Sequence, residues 1–449
     1  MSIPTPVKEA AQKFIDFLNK SPTPYHAVAT LKSMLIEAGF VDRTMLGQFG
    51  VSKNKGYFVT KGDTTIVAFL IGGKMGEESS ISLLATHTDS PCLKLKRGSN
   101  RGHGPYSQVG VTLYGGGLWH AWFDRELKMA GKVWYKESND KVDGKLVHIN
   151  KPLVYVPNLA IHLRKSDEFN PDLEKHILPI IALTDSNSPD VSKTDQHNPF
   201  ILKVISEELN VPEDKIVEMD ICFVDHNPAR MVGYNEEFIA GARLDNLVST
   251  YAAIQALINI KSSSQLENMT GVCMVSCFNN EEVGNKTAEG SLSDFIDQLI
   301  RKVVGDSNYD RVIDRSFAIS ADVVHGLHPN YAEYYEVNHG PELDKGPVIK
   351  YNAAMKYATN GYTATIAKEI GRLAQVPLQS FIVRNDSRSG STLGPDLAAN
   401  LGIDTVDMGT CMLAMHSVRE FAGTQSIAQA ISYFMGYFQY YNQVKDSFE

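Results

Sequence analysis

Val272 to Phe278 is an apolar, β-prone run free of Gly and Pro, and the polar turn Asn279-Asn280-Glu281-Glu282-Val283-Gly284 follows at once. Such a run suits a strand buried on both faces of an α/β sheet, ending in two carboxylates that call for a cation. Further apolar runs predict strands over 56–60, 65–71, 81–85 and 317–320. Val7, Ala11, Phe14, Ile15 and Leu18 recur at helical spacing, and Ser21-Pro22-Thr23-Pro24 ends that helix. A second helix is expected over about 26–38, with Gly39 just past its end. Others are expected over 247–260, 292–304, 362–373 and 426–444.

Between Lys96 and Ala240 the pattern differs. Gly, charged residues and short β-like pieces (108–114, 131–135, 146–149) dominate, with a long polar stretch from Arg164 to Pro199 and few strong amphipathic helices. The reading is an α/β catalytic domain, with a mixed, largely parallel sheet, interrupted by a β-rich domain. This divides the chain into 1–95, 96–240 and 241–449. A length of 449 residues agrees, because it exceeds what one hydrophobic core usually serves.

A net charge of -9 without a Lys/Arg-rich run argues against nucleic acid or an anionic membrane as partner. Cys92, Cys222, Cys273, Cys277 and Cys411 form no CxxC pair and read as reduced thiols. No apolar leader opens the chain and no run is long enough to span a bilayer, so a cytoplasmic protein is expected.

Ligand-type side chains recur just after apolar strands: His87 and Asp89, Asp245, Glu281 and Glu282, Asp322 and His325, and His416. Sites in open α/β sheets assemble at the carboxyl ends of strands, so one rim could collect them all. Two histidines and several carboxylates without thiolate suit zinc, cobalt or manganese. Two ions about 3.5–4 Å apart need a shared carboxylate and two further ligands each. The inventory fits, with Asp245 shared, His87 and Asp322 on one ion, and Glu282 and His416 on the other. Glu281 remains free as general base, and Asp89 could accept the second ring N–H of His87.

The segments HTDSP (His87–Pro91), GARLDN (Gly241–Asn246), NNEEVG (Asn279–Gly284), ADVVHGLHPNY (Ala321–Tyr331), GPVIKYN (Gly346–Asn352) and LAMHSVRE (Leu413–Glu420) resemble, in order, the motifs of the M18 metallopeptidases. This is the aspartyl aminopeptidase family, and the resemblance covers nearly the whole chain. It implies zinc ligands His87, Asp245, Glu282, Asp322 and His416, with Glu281 as base. It also implies that Gly115–Gly131 and Asn158–Leu163 belong to a dimerisation domain within a tetrahedral dodecamer. His162 resembles the histidine that a neighbouring subunit supplies to the oxyanion. Lys350 resembles a lysine in the pocket for an acidic N-terminal side chain, which His325 would also line. The Gly/Ser-rich loop Ser387–Pro395 could approach a substrate closely or be a plain turn. Vacuolar fungal members carry a propeptide, whereas here the first helix is expected almost at once, consistent with the cytosol. The resulting expectation is a dinuclear-metal aminopeptidase acting on peptides with N-terminal Asp or Glu. A metal-dependent deacylase and an inactive, assembly-forming homologue are the alternatives.

Overall fold

The computed structural model describes residues 3–44, 49–76, 79–138, 141–164, 168–184 and 196–448. Parts of the polar stretch expected from Arg164 to Pro199 (165–167 and 185–195) lie outside the described residues.

Val272–Phe278 forms as expected, with every residue buried. It lies inside a nine-stranded mixed sheet, between Thr65–Ile71 and Ile81–His87. Val272–Phe278, Ile81–His87, Phe317–Ala321 and Asp404–Gly409 run parallel in that order, and antiparallel pairings flank them. Alternation assigns these side chains to two cores. Leu84, Cys273, Val275 and Ile319 face the helices Thr5–Lys20, Leu244–Lys261 and Gln425–Lys445. Leu83, Val272, Met274 and Ala318 face Phe295–Val304 and Leu393–Leu401. Apolar residues on both faces are what a strand covered by helices on both sides requires. On Gln425–Lys445, the Tyr437 hydroxyl donates to the Phe317 carbonyl (2.6 Å) and that of Tyr441 to the Arg315 carbonyl (2.8 Å), fixing the helix against a strand.

The β-rich block closes into a six-stranded barrel: Ile216–Asp225, Cys92–His103, Tyr106–Tyr114, Ile180–Leu183, Lys141–Tyr155 and Glu126–Ser138, which returns to Ile216–Asp225. Leu93, Val109, Met129, Val147 and Phe223 fill it. A cap at Asn198, which accepts from the Phe200 N–H (3.0 Å), starts the helix Pro199–Leu209. Ile201 and Ile205 of that helix complete the barrel core.

Phe238–Gly241, assigned from the sequence mostly to the block ending at Ala240, pairs antiparallel with Glu420–Gly423. With Arg230–Val232, Cys411–Leu413 and Val324–His325 these form a second, five-stranded sheet. The pairing joins segments nearly two hundred residues apart, which local patterning cannot reveal. No helix among the described residues is long and apolar enough to cross a membrane.

Candidate metal centre

Three parallel strands deliver ligand-type side chains to one edge of the main sheet. His87 is the last residue of Ile81–His87, paired in register with Phe278. Glu281 and Glu282 lie on the short helical turn that follows Val272–Phe278, and Asp322 follows Phe317–Ala321. Asp245 and His416 reach the same place from another direction. Asp245 follows Phe238–Gly241 and His416 follows Cys411–Leu413, both in the second sheet. The expectation of a single strand-end rim is therefore corrected to groups supplied from strand ends of two sheets.

The turns carrying these groups depart from common backbone geometry. Asn280, Ala414 and His416 have φ of 66°, 54° and 64°, and Arg243, before Asp245, has 64°. Such conformations cost roughly 1–3 kcal/mol each in a non-glycine residue and persist where surrounding contacts fix them. Asp245 and Asn246 leave helical dihedrals within Leu244–Lys261, so the Asp245 side chain is set by a break in the helix.

The Asp245 carboxylate lies between the two histidines. Its Oδ1 is 3.3 Å from His87 Nε2 and its Oδ2 is 3.3 Å from His416 Nε2. Asp322 Oδ1 lies 3.5 Å from His87 Nε2, and Glu282 Oε2 lies 3.5 Å from His416 Nε2. Glu281 Oε2 is 3.9 Å from His87 Nε2. Donor atoms of His87, Asp245 and Glu282 all fall within 4.8 Å of one another. These groups line a cavity of about 420 Å³ together with His325, Lys350, Tyr357 and Asp396.

The electrostatics are those of crowded, buried charge. Burial pushes Glu281 up to about 8, with Asp322, Asp89 and Asp245 adding repulsion against the pull of His87. Burial and then Asp245 raise Glu282 well above the usual range. His416 rises to about 10 despite burial, because Asp245 and Glu282 favour its charged form. Asp245 Oδ1, Glu282 Oε1 and Asp322 Oδ1 are buried and accept no hydrogen bond. Carboxylate oxygens left so are costly, and divalent cations would satisfy them. The donor set, imidazole nitrogens and carboxylate oxygens without sulfur, fits zinc-type ions.

A surrounding layer holds the cluster. Asp89 differs from its expected part: its main-chain carbonyl, 3.0 Å from His87 Nδ1, orients the ring, while its carboxylate stands 3.6 Å away. That carboxylate instead accepts the backbone N–H groups of Glu281 (3.2 Å) and Glu282 (3.1 Å). Glu420, not singled out from the sequence although it ends the LAMHSVRE segment, accepts the N–H of His416 (2.8 Å) and of Asp245 (3.0 Å). It is fully buried and pushed up to about 8, by burial first and then by Asp245. Lys350 is buried with Nζ 3.2 Å from Asp322 Oδ2. His325 lines the cavity, its ring beside Phe381. From the Gly/Ser-rich loop, Gly390, Ser391 and Thr392 line it too. His162 does not line this cavity; it sits in the exposed turn Ile161–Leu163 on the barrel.

Two sheets that bring His87, His416 and several carboxylates into one cavity make a site of the metal-dependent enzyme class. The family model described as "Aminopeptidase I zinc metalloprotease (M18)" matches residues 17–438. The chain is 41% identical to the "Aspartyl aminopeptidase" of Caenorhabditis elegans, over 96% of each. It superposes on a chain of "Cryo-EM structure of the Ape4 and Nbr1 complex" with a TM-score of 0.95 and 38% identity, covering 100% of this chain and 89% of that one. It also matches "Structure of S. cerevesiae mApe1 dodecamer" with a TM-score of 0.85 and 25% identity, covering 98% and 99%. The chain belongs to the M18 family of aminopeptidases, and it is a metallo-aminopeptidase.

Proposed function

We propose that the chain removes the N-terminal residue, preferably Asp or Glu, from peptides, using two divalent ions held by His87, Asp245, Glu282, Asp322 and His416. The observation that carries this reading is the Asp245 carboxylate, which turns one oxygen to each histidine at 3.3 Å. Zinc is the first choice, because the family description names it; cobalt and manganese share its ligand preferences. Bound there, such ions supply Lewis-acid polarisation of the scissile carbonyl and a water that ionises near neutral pH.

Glu281 takes the proton of the attacking water and passes it to the leaving amine. Its Oε2, 3.9 Å from His87 Nε2, stands beside the proposed ligands and lines the cavity, where a water proton is within reach. Asp89 keeps the Glu281 and Glu282 backbone in place through its carboxylate. The free α-amine of the substrate would be held among the site carboxylates. Lys350, with His325 near it on the cavity wall, would favour an acidic side chain. The naming of the Caenorhabditis elegans relative as an aspartyl aminopeptidase supports this preference.

The oxyanion would be stabilised by His162 of a neighbouring subunit. The dodecamer named for the Saccharomyces relative supports a homo-oligomer, read here as a tetrahedral dodecamer of dimers joined through the 96–240 block. Five free thiols suit a reducing, cytoplasmic location.

Turnover and metal content of Glu281→Gln test the mechanism. A loss of kcat of at least about a hundredfold with metal content unchanged is expected. Full turnover in that variant would sink the role given to Glu281.

A further inference from the structure

The barrel reaches into the metal centre through the residues that leave its Tyr106–Tyr114 strand. The Tyr114 hydroxyl donates to Asp89 Oδ2 at 2.7 Å and accepts from Asn280 Nδ2 at 2.8 Å. Asp89 is the carboxylate that accepts the Glu281 and Glu282 N–H groups, and Asn280 is the left-handed residue that opens their turn. One phenol thus touches both supports of the two glutamates.

Two residues on, the Gly116 carbonyl accepts from His416 Nδ1 at 2.9 Å, which leaves Nε2 as the ring nitrogen facing Asp245 and Glu282. The Leu118 N–H donates to the His416 carbonyl at 2.8 Å. Close packing fits this path. Gly115 has φ of +72°, and a Cβ there would lie 3.3 Å from the Glu282 Cβ and from Pro91 Cγ. Lys94 Nζ sits 5.4 Å from the Tyr114 ring centroid. Burial, and then the charge of Asp89, keep the phenol protonated, so it remains a donor.

We propose that Tyr114 is a positioning residue for the reaction, and that Tyr114–Leu118 is a strap by which the inserted barrel fixes the glutamate turn and the His416 tautomer. The inserted block is then part of the catalytic apparatus, and its role extends beyond assembly. Tyr114 does not line the cavity of the metal centre; it acts through Asp89 and Asn280.

Tyr114→Phe removes only the hydroxyl. In the metal-free protein, amide hydrogen exchange over residues 279–284 should accelerate about tenfold or more, while exchange in the Tyr106–Tyr114 strand stays at the wild-type rate. In the metal-loaded enzyme, kcat should fall about tenfold with KM within about twofold and metal content unchanged. Lys94→Met, which keeps the hydroxyl, should behave as wild type in both measurements. The kinetic part rests on Glu281 as base, but the exchange part does not. If Glu281→Gln retained full turnover, the base assignment would fail and the exchange result would still decide the strap. Wild-type exchange over 279–284 in Tyr114→Phe overturns the strap. So does acceleration spread evenly over the barrel, or an equal effect from Lys94→Met.

Discussion

Asp89 and Lys350 show how little a residue's neighbours in sequence say about its contacts. Two positions from His87, Asp89 orients the ring with a carbonyl that any residue would offer, and uses its carboxylate on a turn almost two hundred residues away. Lys350 faces the cavity as a pocket cation would, yet its Nζ is already 3.2 Å from Asp322. Lys350 is buried and the Asp322 side chain is 13% exposed, so removing the lysine takes away the contact that orients this carboxylate. Lys350→Met should therefore lower kcat/KM about tenfold even for an N-terminal Leu substrate, and about a hundredfold for Asp. Initial rates on the two substrates check this. A loss confined to Asp would make Lys350 a selectivity residue alone, and no loss for either would leave it no part in the reaction. The clustering of His87, Glu281, Glu282 and Asp322 was legible, because each ends or follows an apolar run that reads as a buried strand. Glu420 was not, since a carboxylate near a β-like run reads as surface until its two N–H donors are seen.

At the level of elements, the helix Pro24–Glu37 meets the barrel strand Lys141–Tyr155 through two imidazoles. The rings of His26 and His148 lie 5.7 Å apart, and His148 Nε2 is buried without a partner. Burial lowers both to about 4; each histidine's own contacts reinforce this, His148 and Arg243 acting on His26, and Lys128 and Arg243 acting on His148. The unfolded chain, with histidines near 6.5, then binds more protons than the folded one between pH 6.5 and 4. Stability conferred by neutral histidines is complete above about 6.5 and drains away as pH falls toward 4. Thermal unfolding should show Tm dropping across that window, and His148→Met should flatten the drop. An unchanged slope would mean that this contact does not titrate as described. Elements buried on both faces, such as Val272–Phe278, were readable from composition alone. The helix Pro199–Leu209 was not, because it follows a long polar stretch and its apolar face fits only the barrel interior.

For the whole molecule, the informative pairings are the distant ones. Phe238–Gly241 on Glu420–Gly423 builds the second sheet, from which Asp245 and His416 meet His87, Glu282 and Asp322 of the first. Alternation along one strand states which face is buried, but not which strand lies beside it, so barrel closure and the two-sheet site were beyond local pattern. Assembly belongs to this scale too. If His162 serves a neighbouring subunit, His162→Ala and Glu281→Gln, each nearly inactive alone, should regain measurable turnover when co-assembled. Mixed oligomers as inactive as their parents would contradict a shared site. Hydrolysis at a free acidic N-terminus can be read from initial rates on matched peptides starting with Asp, Glu, Leu and N-acetyl-Asp. Cleavage should be faster after Asp and Glu than after Leu, and the acetylated peptide should not be cut. Equal rates for Leu and Asp would refute the acidic preference, and release of acetate or of acetyl-Asp would refute the aminopeptidase mechanism.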